Sequence, residues 1–93
     1  MADRVLSTVQ AKEAIAEMER IINSDLLTQI DRLNKQGEIL SDPNVWDGRL
    51  AAEFRNNWPQ TYNALKKAQQ ELEQLRQNVQ KINQNIMMAG GNS

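Results

Sequence analysis

LKKAQQELEQLRQNVQKINQNI, residues 65–86, sets Leu65, Ala68, Leu72, Leu75, Val79, Ile82 and Ile86 at alternating steps of three and four, and Ala89 adds one more step of three. That is a heptad seam sustained over more than three repeats, the period of an α-helix lying against another helix. Upstream, Leu50, Ala51, Phe54 and Trp58 carry the apolar periodicity back to the first residues after Gly48. One helix is therefore predicted over about 49–88, with Gly90-Gly91-Asn92-Ser93 closing it in a disordered tail over 89–93. Pro59 lies inside this stretch. It has no amide to donate and its ring collides with the carbonyl of Arg55. Because the periodicity runs through both flanks, a kinked but continuous helix is expected.

Residues 1–36 contain neither Gly nor Pro. Ala11, Ile15, Met18, Ile22, Leu26, Ile30, Leu33, Gly37 and Leu40 form one stripe whose mean spacing is close to the 3.6 residues of an α-helical turn. Ile21 and Leu27 widen it. A first helix is predicted over about 8–40. Ser7 with Gln10 is a candidate capping box, the hydroxyl accepting from an unpaired amide and the amide side chain reaching back. Gly37 costs helix stability relative to Ala; it either allows a close backbone approach or marks early fraying, and fraying is favoured because the loop is near. The residue before Pro43 is turned away from helix, which ends the first helix near Leu40.

Between the helices lies Ser41-Asp42-Pro43-Asn44-Val45-Trp46-Asp47-Gly48, the turn over 41–48. Asp47 is a candidate N-cap for the second helix, and Gly48 lets the backbone reverse at φ values other residues resist. Trp46 has two readings. It plugs the end of its own hairpin, or it lies in a cleft between helix ends and anchors a partner. Together these segments predict an all-α, single-domain antiparallel hairpin.

Such a hairpin has little enclosed core. Two rods touch along one seam, and the first stripe is wider than one neighbouring helix can cover. A chain of 93 residues has a small core to begin with. Pairing with a second hairpin, as homodimer or as heterodimer with a related chain, would close a four-helix bundle. The residues expected in hairpin or dimer packing are Ile15, Met18, Ile22, Leu26, Ile30 and Leu33 from the first helix, against Phe54, Trp58, Leu65, Leu72 and Leu75 from the second.

Composition narrows function. There is no Cys and no His, so thiol or imidazole catalysis and the commonest metal ligands are excluded. No nucleophile, base and oxyanion donor fall together, and catalytic, cofactor and metal residues are expected to be none. The net charge of -1 gives no nucleic-acid footprint. Residues 1–48 hold 5 basic and 9 acidic side chains and residues 49–93 hold 6 and 3, a distribution suited to two segments lying side by side. The amides of the second helix, Gln69 and Asn83 among them, read as a neutral solvated face. No apolar run is long enough to span a bilayer, and the first residues lack the pattern of a signal peptide. The acidic first helix argues against a membrane-inserting role.

Trp46-Asp47-Gly48 is a W-x-G tripeptide at the middle of a chain of about this length, in the turn of a predicted hairpin. With Ala51-Ala52-Glu53-Phe54 and Trp58 following it, the chain resembles the WXG family of small Esx-like proteins, substrates of type VII secretion systems in actinobacteria and related bacteria. The resemblance covers nearly the whole chain. It implies antiparallel hairpins that pair into four-helix-bundle dimers, with Trp46 and Gly48 as the turn motif. It also implies export in the folded state without a signal peptide, by a machine driven by a multidomain ATPase. There is one departure. Exported pairs commonly carry a tyrosine with an acid four positions later near the end of the second helix. Here the single tyrosine is Tyr62, followed by Lys66, and residues 82–93 hold neither tyrosine nor acid. Either a partner supplies that signal and the contact with the ATPase, or the chain stays cytoplasmic as an adaptor that pairs with the helical leader of a larger secreted toxin.

Overall fold

The structure, a computed structural model, describes residues 4–91. It is an all-helical hairpin. α1 (Val9–Arg20), a π-helical segment (Ile21–Leu26) and α2 (Leu27–Leu40) join end to end through residues in right-handed helical conformation, making the first rod. α3 (Arg49–Ile86) is the second rod, extended by a π-wound segment, Met87–Gly91. The molecule measures 64 × 22 × 16 Å with a radius of gyration of 20.2 Å. A compact domain of this length would have about 12 Å, so most of each rod's surface stays outside the contact between them.

Local chemistry sets the ends. Thr8, not Ser7, caps α1: its hydroxyl accepts from the Ala11 amide at 3.1 Å. Ser7 is buried instead, donating its hydroxyl to Asn83 Oδ1 and its amide to the Gly91 carbonyl at 2.6 Å. At the other end of the rod the Ser41 hydroxyl closes α2 on the Gly37 carbonyl at 2.7 Å. The turn winds on Asp42, whose carbonyl accepts from the Val45 and Trp46 amides and whose carboxylate accepts from the Asn44 amide. Gly48, not Asp47, is the N-cap of α3, at φ 129° and ψ 173°, a conformation almost confined to glycine. α3 runs through Pro59 without a break, as the periodicity on both sides required.

Two expectations need correction. Gly37 does not mark fraying, since the helix continues to Leu40. It is buried because the Trp58 indole lies against it: a Cβ built on Gly37 would sit 2.2 Å from Trp58 Cε2. The absent side chain is what lets the ring in. The expected disordered tail is also shorter than drawn. Residues 89–91 follow directly on α3, but Gly90, at φ 91° and ψ 8°, leaves the helical conformation, and Gly91 is buried with its carbonyl accepting from the Ser7 amide. Residues 92 and 93 lie outside the described residues.

The π segment has a physical reason. From Met18 to Ile30 the apolar residues are spaced four, four, four. At 3.6 residues per turn such a run drifts around the helix. The wider winding of a π turn keeps it facing one way. Ile22 and Ile30 are buried, and Met18, Leu26 and Leu27 are half-buried beside them.

Candidate functional site

The contact between the rods follows one line along α3: Ala51, Trp58, Leu65, then Gln69, Arg76 and Asn83. The steps are seven, seven, four, seven and seven, the course a straight 3.6-residue helix must take to keep facing a fixed neighbour. The leucine seam keeps a strict period of 3.5 and drifts about 20° per heptad away from that line. With Leu65 as heptad position a, the hairpin contact starts on the a line and passes to e, at Gln69, Arg76 and Asn83. The d positions Ala68, Leu75 and Ile82, with Leu72, are left facing outward. Gln69 is 6% exposed and Asn83 8%, whereas Leu72 is 40%, Leu75 51% and Ile82 57%. On the first rod Leu33 is 49% exposed.

The inner face is therefore partly polar. Gln69 Nε2 donates to the Ile22 carbonyl at 3.1 Å, inside the π-wound segment where the regular ladder is interrupted. Trp58 Nε1 donates to Asn34 Oδ1 at 3.0 Å. Arg76 lies across the rods, 3.8 Å from Glu19, while pairing with Glu73 on its own helix. Hydrogen bonding to Arg76 holds the Glu73 carboxyl below its ordinary range. The acidic first half and basic second half thus meet through Arg76 and Glu19, one ion pair between the rods among the described residues. The hydrogen bonds of Gln69 and Trp58 each contribute on the order of 1 kcal/mol, and polar contacts on an inner face fix register more than they add stability. Gln69 and Asn83 were expected on a solvated face. Their spacing of seven from Arg76 is the signal that places them otherwise.

The four aromatic residues of the chain form one ladder from the turn along α3. Trp46 meets Phe54 edge-on at 5.6 Å between centroids, Phe54 stacks on Trp58 at 5.8 Å, and Trp58 reaches Tyr62 at 6.4 Å. The Lys66 ammonium sits 5.8 Å over the Tyr62 ring. Trp46 is the exposed end of the ladder, alongside exposed Ile39, Leu40, Val45 and Leu50. Both readings of Trp46 find a physical basis here: Phe54 supports the ring from inside, and its outer side is open. Asp47 lies beside it. Its carboxylate accepts from the Gly48 amide at 2.8 Å and from Arg55 Nη2 at 3.1 Å, and those bonds hold it below the usual carboxylate range.

The residues named from sequence thus divide into two sets. Ile22 and Ile30 are buried in the hairpin, and Ile15, Met18, Leu26, Phe54, Trp58 and Leu65 are half-buried. Leu33, Leu72 and Leu75 do not join them and present their side chains to solvent. The packing of Leu72 and Leu75 against the first helix is corrected accordingly: among the two uses expected for these residues, the hairpin does not take them. Among the described residues no cluster of three or more acidic side chains is placed to hold a metal ion. No described helix is long and apolar enough to cross a membrane. No protein-family model, curated protein or solved structure matches the chain.

Proposed function

We propose that this chain is a non-enzymatic protein-interaction module of the WXG type, which pairs through its outward leucine stripe with a second helical hairpin to close a four-helix bundle. In this role it is a type VII secretion substrate or the dimer partner of one. The observation that carries the proposal is the position of Ala68, Leu72, Leu75 and Ile82. All four are exposed on one side of α3 at heptad spacing, and the hairpin leaves 40% of Leu72, 51% of Leu75 and 57% of Ile82 open. A seam with a 3.5-residue period suits a partner helix that supercoils around it. Leu33 and Leu40 add exposed apolar surface on the first rod.

A second reading is favoured by the place of Tyr62. It belongs to the aromatic ladder, under Lys66, far along the chain from the end of α3. The chain then acts as a non-exported adaptor, covering the helical leader of a larger toxin with the same stripe. Native mass spectrometry of the protein alone, and co-expressed with the product of the adjacent gene, tests both. A homodimer or a one-to-one complex with another hairpin is the expected result. A complex formed only with a helical leader selects the adaptor. A lone chain under every condition overturns pairing altogether.

A further inference from the structure

We propose that Asp47–Gly48 is a self-modifying site, converting through a cyclic imide to an isoaspartyl linkage, and that Arg55 restrains the conversion. This is independent of the pairing role. Asp47–Gly48 is the one Asp–Gly or Asn–Gly dipeptide in the chain. The reaction needs the amide nitrogen of the following residue to reach the side-chain carboxyl carbon. Here that nitrogen donates to Asp47 Oδ1 at 2.8 Å, an oxygen bonded to that carbon, so the carboxyl group and the nitrogen are already held together rather than having to find each other. Nothing obstructs the approach: a Cβ on Gly48 would have no atom within 4 Å, and the Asp47 side chain is 63% exposed.

The step balances without any co-reactant. A bond forms from the Gly48 nitrogen to the Asp47 side-chain carbon. One carboxyl oxygen departs as water, carrying the amide proton and the proton of the acid form. Water then opens the five-membered ring. Opening at the former side-chain carbonyl restores aspartate. Opening at the main-chain carbonyl puts an extra methylene into the backbone between Trp46 and Gly48. No electrons are exchanged, and the final mass equals the starting mass.

The leaving oxygen must be protonated, and Arg55 opposes this. Its Nη2 is 3.1 Å from the same carboxylate oxygen that faces the Gly48 amide. Its Nη1 is buried without a hydrogen-bond partner, and Asp47 is the ion-pair partner of the guanidinium. With Arg55 present the carboxylate stays ionised and is a poor electrophile. Without it the reactive acid form is more populated.

The test incubates the folded full-length chain at mildly acidic pH and reads isoaspartate site by site, using electron-transfer fragmentation and the transient loss of one water. Isoaspartate is expected at Asp47 in excess of Asp25, Asp31 and Asp42 of the same molecules, and Asp47→Glu is expected to abolish it. Arg55→Gln should speed it several-fold while the far-ultraviolet spectrum stays helical, with Arg55→Lys in between. In strong urea, where the Arg55 contact is gone, wild type and Arg55→Gln should convert at equal rates. Conversion at Asp47 no faster than at the other aspartates overturns the site. Equal rates in the folded proteins, or a difference that persists in urea, overturn the guarding role.

Discussion

Gly37→Ala is expected to destabilise the hairpin by about 2 kcal/mol, although in an ordinary exposed helix the same change stabilises by up to about 1 kcal/mol. The reason for the reversed sign is the Trp58 indole, which would have Cε2 and Nε1 only 2.2 Å from the new Cβ. The ring cannot yield freely. It is hydrogen-bonded to Asn34 and stacked on Phe54, and moving it disturbs the ladder that ends at Trp46. Overpacking of this kind costs roughly 1–3 kcal/mol, sometimes more. Thermal or urea unfolding of the single variant reads the loss. The double-mutant cycle identifies its cause: once Trp58→Ala has removed the ring, adding Gly37→Ala should be neutral or stabilising. If Gly37→Ala stabilises the wild-type protein, the close approach of these two residues is wrong.

Leu72→Asp with Leu75→Asp should abolish pairing and leave the hairpin folded. Burying a leucine is worth roughly 2 kcal/mol. Losing two of them at the centre of the stripe corresponds to about 4 kcal/mol, roughly a thousandfold in dissociation constant, before the cost of burying charge is added. Because both side chains are exposed in the hairpin, Leu72 by 40% and Leu75 by 51%, the helical spectrum of the dilute chain should persist. Had these leucines packed against the first helix, the same pair of substitutions would unfold the hairpin. Helicity and association measured on one sample therefore separate the two arrangements.

How far the sequence disclosed this structure depends on which residues one asks about. The rods and the turn were legible because Pro43 and Gly48 interrupt two long periodic stretches. Breakers and periodicity are local properties. The course of Pro59 was legible for the same reason: apolar positions continue on both sides of it. The role of Gly37 was not, since a glycine near a helix end looks the same whether it frays or receives a ring from a residue 21 positions away. The inner face of α3 was misread because heptad leucines are the stronger signal. Only the slow drift between periods of 3.5 and 3.6 reveals that a straight neighbour would end up against Gln69, Arg76 and Asn83. The π segment was hidden by averaging. The mean spacing of the first stripe is that of an α-helix, yet its middle is an unbroken run of fours. Trp46 was legible as a turn residue. Its place at the open end of an aromatic ladder depends on Phe54, Trp58 and Tyr62 sharing one side of a helix that continues through a proline.

What remains central is where the leucine stripe points and what covers it. The chain has no cysteine, so Leu75→Cys introduces a single thiol at the middle of the stripe, and its rate of reaction with a maleimide can be followed across a dilution series. Rapid labelling in dilute solution, slowing as the protein or its hairpin partner is concentrated, is the result expected of a surface covered only by a second molecule. Slow labelling at every dilution would put the stripe inside the chain, and uniformly rapid labelling, with or without the partner, would mean nothing covers it; either contradicts the account.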